Sequence, residues 1–491
     1  MSPIQDFYSN QVILLTGVTG FIGKLIAEKL LRTCPNLKKI YVLVRPKPTR
    51  SLDERLKDIF DSTCFDLLRS QDPDFGKKIH LLSGDCKEPF LGLNFEAIEI
   101  LKDQVTCVFH VAANVRFDID LKTAVHTNVR GVRDLLEIMK EAKNLRAFVY
   151  VSTAFSHCPR TEIREEFYGV GTDPEKVLQM VDLMDDQALI SSLMGPWPNT
   201  YVYSKALAEE VVRRYENCFP ICIVRPAITL SCLKEPFPGW NDNFNGPIGI
   251  SFGIALGLLR SLHMDPKFPA PYVPVDFVVN IILAAAWNLE KCVEKTTNNP
   301  IPIYNLTAAK TNSVTYGWIL DYYKTFVFKY PLTKTVWYPY VQLSRYKTIH
   351  KIRSFFYHTV FSYIVDAILV TIGKKPLAVK KYQKVNKTLD LLSYFVLRSW
   401  NFDNSNVDFL WDQLDEKDKE VFNFNMKTVD WKSYFEDCCV GGRVFLVKDP
   451  LESIPKAKRW MYFLAGVHYA FVGFVMYAWY WLLSTVFKIL F

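Results

Sequence analysis

A chain of 491 residues is too long for one ordinary core, because domains run to roughly 100–200 residues, and two or three units are expected. Charged residues make up 22% and the net charge is +8, an excess that suits phosphorylated ligands or anionic lipid headgroups but lacks the dense basic stripe of a nucleic-acid binder, so nucleic acid is excluded as a partner. Aromatic residues reach 14% and hydrophobic ones 49%, which points to an apolar ligand or a membrane contact, and the 11 cysteines are scattered at spacings that frame neither disulfides nor a metal site, so no metal is expected.

The opening MSPIQDFYSNQVILL has no basic stretch ahead of a long apolar run, so no secretory signal is predicted and the catalytic part is expected to face reducing cytosol. From Gln11 to about Arg225 the apolar runs VILLTG, IYVLVR, IHLLSGD, VTCVFHVAA, AFVYVST and ICIVRP recur at helix-length intervals. That rhythm predicts an α/β fold, a Rossmann doubly wound parallel sheet with crossover helices.

The first strand runs into Gly17-Val18-Thr19-Gly20-Phe21-Ile22-Gly23 and then the helical KLIAEKLL, which is the strand, turn and helix of a dinucleotide site. Gly17 permits the tight turn, Gly20 lets backbone approach a pyrophosphate, and Gly23 lets helix and sheet close up. Thr19, Phe21 and Ile22 lie between them, where the helix N-terminus faces the phosphates. The second strand ends in Arg45, followed by Lys47, where an NAD-specific protein usually carries an acid. Arg45 offers a donor fork to a 2′-phosphate, so NADPH is expected rather than NADH. Asp85, closing LLSGD, is positioned to accept from the adenine amino group.

Tyr201 and Lys205 stand four apart in a helix-compatible run, so they share a face and can converge on one ligand. A nearby ammonium is expected to lower the phenol toward the working pH, and lysine can also hold the nicotinamide ribose. At the end of AFVYV, Ser152-Thr153 offers a hydroxyl to the same carbonyl oxygen. Tyr203, two residues from Lys205, should point elsewhere.

Pro236 to Pro247 reads as a loop, and the following stretch as a substrate lobe or connector over 286–354. Residues 355–450 are expected to form a helical domain, with Cys438-Cys439 as packing, behind an N-terminal nucleotide-binding domain of 1–285. Ser354 to Ile372 is apolar but contains His358 and Asp366 and is flanked by Lys351, Arg353, Lys374 and Lys375. It is expected to lie on a membrane or line an acyl tunnel rather than cross. Within 451–491, Met461 to Phe487 exceeds the roughly 20 apolar residues that span a bilayer. Lys456, Lys458 and Arg459 before it would keep the catalytic body cytosolic, giving a single-pass C-terminal anchor in endoplasmic reticulum or peroxisome.

The succession of glycine turn, HVAANVRF, strand-end Ser-Thr and Tyr-x-x-x-Lys resembles the extended short-chain dehydrogenase/reductase superfamily. The resemblance implies Thr153, Tyr201 and Lys205 as the catalytic residues, with Asn128 of TNVRG positioning a lysine-bound water. Further segments, among them YVSTAF, NTYVYSKALAEEVV, KEPFPGWNDNFNGP, VPVDFVVN, FNFNMKTVDWKSYF and GGRVFLVKDP, are similar to the fatty acyl-CoA reductases, and the loop Glu235 to Pro247 is the most discriminating of them. That family reduces long-chain acyl-CoA to a primary alcohol with two NADPH and release of CoA. After His358 the chain reads TVFSYIVD where the family often has a Leu-Pro-Ala type sequence, so no chain length is assigned. A membrane-bound reductase of a sterol or other lipid ketone and an aldehyde-only acyl-CoA reductase are the alternatives, and self-association is left open.

Overall fold

The computed structural model describes residues 1–183, 192–293, 300–308 and 310–490; Phe491, the last residue of the expected anchor segment, lies outside them. The chain divides into two compact units, each assembled from three stretches: Met1–Asn241, Pro269–Ser313 and Ser399–Tyr434 in the first, Asp242–Phe268, Val314–Arg398 and Phe435–Phe491 in the second.

The first unit is built on a seven-stranded sheet. The six predicted runs form β1 (Val12–Thr16), β2 (Lys39–Val44), β3 (Ile79–Ser83), β4 (Cys107–His110), β5 (Ala147–Val151) and β6 (Ile221–Pro226), and Ile303–Leu306 adds β7. Their order is β7-β6-β5-β4-β1-β2-β3, all parallel. Strands such as VILLT and AFVYV are buried along their whole length, as expected when helices cover both faces. The order reverses between β1 and β4, and the crevice at the carboxyl ends of those two strands is where such sheets bind ligands. Helices α1 (Phe21–Thr33), α2 (Leu52–Phe60), α3 (Gly131–Lys140), α4 (Thr200–Arg213) and α5 (Val275–Val293) belong to this unit.

The second unit is mainly helical, with a short parallel ladder of Ser261–His263 against Gln342–Ser344. Its long helices are α6 (Lys347–Thr371), which contains a π turn at Phe355–Val360, α7 (Ala378–Val396) and α8 (Ile454–Leu490). Among the described residues, two helical stretches are long and apolar enough to cross a membrane, Lys347–Thr371 and Leu451–Leu490. The first turns of α8 bury Ala457, Met461 and Leu464, and Trp460 donates to the Thr335 carbonyl at 2.7 Å. Farther along, Phe474, Met476, Tyr480 and Ile489 are exposed.

Candidate active site

At the crevice, β1 delivers Gly17 in the left-handed region at φ +81, where a Cβ would stand 2.7 Å from the Ala112 amide nitrogen. A Cβ on Gly23 would stand 2.2 Å from the Gly17 carbonyl oxygen. Both positions therefore require glycine. Gly20 occupies the N-cap of α1 with no side-chain cap, and Thr19 beside it is exposed, so the first amides of a 13-residue helix open onto the turn. Uncapped amides at the positive end of a helix dipole form an anion cradle, and the turn fits a dinucleotide pyrophosphate. Phe21 stacks on Trp240 with ring centroids 5.7 Å apart, while Ile22 is half-buried. The Trp240 indole donates to Thr63 at 2.9 Å, and Glu235 pairs with Lys29 and Arg32 of α1. The start of the discriminating loop is thereby fastened along the helix that carries the glycine turn.

Arg45 and Asp85 come together at the ends of β2 and β3, 3.8 Å apart, with Arg45 largely exposed. Asp85 also accepts from the Lys87 amide at 3.0 Å.

Asn199 caps α4 by accepting from the Val202 amide at 3.1 Å, which starts the helix one residue before Tyr201. The Tyr201 ring stacks on Phe117 at 5.8 Å, and Thr153, just beyond β5, is the side chain that draws its hydroxyl's pKa down. Ser152, the other candidate hydroxyl, donates to Glu209. Lys205 is buried and donates to the Val151 carbonyl at 2.6 Å and to the Tyr150 hydroxyl at 3.3 Å. Burial pushes the lysine down to about 7 against the opposing pull of Glu209. Burial pushes Tyr201 up to about 12, relieved only by Thr153. The expected lowering of the phenol by Lys205 is therefore not found: burial dominates at Tyr201, and the same burial drives the amine toward its neutral form. Tyr203 packs in the core against Trp197, as expected for its helix position.

Asn128 lies in a π turn, His126–Arg130. Its amide donates to the Asn114 carbonyl at 3.1 Å and to Ser204 at 2.9 Å, and its oxygen accepts from the Asn114 amide at 2.7 Å. Both amide hydrogens are committed to holding the β4 loop against α4.

Two family models, an NAD-binding one and a Sterile one, both described as Male sterility protein, match residues 15–282 and 357–449. Fatty acyl-CoA reductase 1 of Rattus norvegicus is 37% identical over 96% of this chain and 91% of its own length. The chain belongs to the fatty acyl-CoA reductase family. Fatty acyl-CoA reductase wat of Drosophila melanogaster is 37% identical over 97% of this chain and 93% of its own. Among solved structures, the terminal R domain of the myxalamid PKS-NRPS pathway superposes with a TM-score of 0.59 at 18% identity, covering 89% of this chain and 91% of that one. The R domain of a non-ribosomal peptide synthetase from Mycobacterium tuberculosis gives 0.57 at 19%, covering 90% and 92%. These two show a shared fold. The first unit of this fatty acyl-CoA reductase family member carries a nicotinamide-nucleotide-binding domain.

Three groups in this reductase escaped the sequence reading. Glu209 continues the row Tyr201, Lys205 at the same spacing of four, and only that spacing could have flagged it. Its carboxylate is fully buried, accepting from Arg225 through two nitrogens at 3.0 and 2.5 Å and pairing with His157 at 3.1 Å. Burial works to raise Glu209, but Arg225 and His157 outweigh it and hold the carboxyl well below its ordinary range. On α2, Arg55 has a buried guanidinium nitrogen with no hydrogen-bond partner among the described residues, and burial together with the charges of Arg45 and Arg50 lowers its pKa against the opposing pull of Asp58. Finally, Thr16 at the end of β1 accepts from the Val111 and Ala112 amides, each at 3.2 Å, and contacts His110 Nδ1 at 3.0 Å. That stitch holds the β4 loop against Gly17.

Proposed function

We propose that this protein reduces a long-chain fatty acyl-CoA to the primary alcohol, with release of CoA and consumption of two NADPH. The observation that carries the reading is the placement of the Tyr201 hydroxyl beside Thr153 at the carboxyl edge of the sheet, in a chain of this family. NADPH, when bound, supplies the hydride that adds to the acyl carbon. The uncapped turn of Gly17, Gly20 and Gly23 would hold its pyrophosphate, Arg45 and Arg55 its 2′-phosphate, Asp85 its adenine, and Lys205 its ribose.

Tyr201 and Thr153 would hold the carbonyl oxygen as it gains negative charge, each hydroxyl interacting more strongly with the developing oxyanion than with the neutral thioester. Tyr201, kept protonated to about 12, can give that oxygen its proton. Collapse of the thioester adduct returns the oxygen's proton to Tyr201, breaks the carbon–sulfur bond and expels the CoA thiolate, leaving an aldehyde whose oxygen rests on the same two hydroxyls. The second reduction then ends with a proton from Tyr201 and a free alcohol.

We further propose that α8 anchors the chain by a single pass in the endoplasmic reticulum or peroxisomal membrane, with the nucleotide-binding unit in the cytosol. The deciding experiment incubates the purified full chain in detergent with mixed acyl-CoAs and NADPH, and quantifies thiol, aldehyde and alcohol. Alcohol with two NADPH oxidised per thiol is expected. Thiol with aldehyde alone would make the protein an aldehyde-forming reductase, and neither product would remove the thioester reading.

A further inference from the structure

Helix α6 is inverted relative to a water-facing helix. Its buried face is polar, made of Ser354, His358 and Ser362, with Ser354 Oγ 3.2 Å from His358 Nδ1 and the Arg260 amide donating to His358 Nε2 at 2.9 Å. Its outer face is apolar: Phe356 is 62% exposed, Tyr363 61%, Ile364 52% and Ile368 55%. A soluble helix puts these residue types the other way round, and a contiguous exposed apolar face of this kind marks an interaction site.

The helix nevertheless does not continue through a bilayer, because it turns back on itself. Gly373, at φ +73, ends it in a Schellman turn, with Lys374 N donating to Leu369 O at 2.8 Å and Gly373 N to Val370 O at 3.0 Å. Asp366 then reaches across and accepts from the backbone amides of Leu377, Ala378 and Val379 at 2.8, 2.8 and 3.0 Å, supplying the otherwise orphaned donors at the start of α7. The carboxylate that seemed costly for an apolar helix is thus the clasp of a helical hairpin. The second arm is basic: Lys380, Lys381, Lys384 and Lys387 are all exposed, and between Arg345 and Lys387 the only acidic residue is Asp366. Tyr382, from the inner side of α7, donates to the Leu258 carbonyl at 2.5 Å and stacks on His358 at 5.4 Å, which keeps the lysines outward.

We infer that the α6–α7 hairpin is a second membrane-docking element, separate from α8, which lays its apolar arm into the headgroup–acyl boundary of a bilayer and sets its lysine arm on anionic phospholipid headgroups. The pairing of one apolar and one basic arm reproduces, over two helices, the two faces of an interfacial amphipathic helix. The inference concerns seating on the membrane and is independent of the reaction proposed above.

The test uses the full chain with a fluorescent amino acid in place of Ile368, reconstituted into vesicles of phosphatidylcholine alone or mixed with an anionic phospholipid. Co-flotation reports the α8 anchor, whereas quenching of the probe by lipids brominated on the acyl chain reports the hairpin. Strong quenching in anionic vesicles and weak quenching in neutral ones is expected. The variant K380E/K381E/K384E/K387E should lose the difference, since each lysine near an anionic surface is worth about fivefold in partitioning. Equal and negligible quenching in both vesicles would overturn the inference. So would burial of the probe without lipid that rises with protein concentration, which would make a second copy of the chain the occupant. A raised KM for acyl-CoA in detergent in the lysine variant would overturn it as well, by assigning those lysines to substrate.

Discussion

Lys205 donates to the carbonyl of Val151 at 2.6 Å, two residues before Thr153, so the lysine of α4 is tied to the strand that delivers the partner of Tyr201. The tie makes Lys205 part of the framework as well as a proposed ribose ligand. Replacing it with methionine should abolish turnover and weaken NADPH. A second readout separates the framework role from the chemistry. Burial holds the folded lysine at about 7 against an ordinary 10.5, so between these values the unfolded chain carries a proton that the folded chain has lost. Stability from this group therefore rises with pH across that window. Urea unfolding of the native chain and of Lys205→Met should show the variant's relative stability falling as pH rises from about 7 to about 10, and a constant difference would contradict a buried amine with this depressed value.

The pair of hydroxyls makes a second prediction. If Tyr201 is the proton donor, Tyr201→Phe should lower kcat by about 10²–10⁴-fold while NADPH still binds, because the ring and its stacking on Phe117 remain. Thr153→Ala removes an oxyanion partner and should cost on the order of 10²-fold. The double variant should lose much less than the product of the two, since residues that act on one oxygen are not additive. An active Tyr201→Phe protein would end the assignment.

What the sequence made legible follows from how local each signal is. The glycine turn, the six strands and the row from Tyr201 to Lys205 are contiguous segments with a period or a fixed spacing, and each stands in the structure where that pattern implies. Asp366 shows the limit: read alone it was an isolated charge in an apolar helix, and its role appears only when residues 377–379 fold back onto it. The two interleaved units are illegible for the same reason, since each is assembled from three separated stretches. The missing effect of Lys205 on Tyr201 follows from how deeply both groups are buried, which spacing within α4 does not encode.

Arg55 lends itself to a test that needs no catalysis. Its unpartnered buried nitrogen, and the repulsion from Arg45 and Arg50, are unfavourable until an anion arrives. Arg55→Leu should therefore leave the unliganded protein as stable as before or slightly more so, measured by thermal melting. The same change should weaken NADPH by about tenfold to a hundredfold, the usual worth of a charge-assisted hydrogen bond, and leave NADH unchanged. Equal losses for both nucleotides would remove Arg55 from the 2′-phosphate.

Glu209 and Arg225 form a buried ion pair directly beneath the catalytic helix face, with side chains 1% and 0% exposed. Arg225 also donates to the carbonyls of Arg164 and Glu166, each at 3.1 Å, so it braces the segment after β5 as well as α4. Removing one partner strands a charge in the core, and Arg225→Met should destabilise the protein by about 3–5 kcal/mol. The folded carboxyl lies below its ordinary value, so its contribution is present above about 4.5 and is lost as pH falls below it. Acid unfolding should accordingly begin at higher pH in Arg225→Met, where the carboxylate loses the guanidinium that outweighs its burial. Glu209→Gln tests the other side: it keeps the shape, leaves Arg225 bonded to the two carbonyls, and should flatten the acid limb of the stability curve. If Glu209→Gln and the native chain unfold along the same acid profile, the buried carboxylate does not govern acid stability, and the pair is held by packing instead.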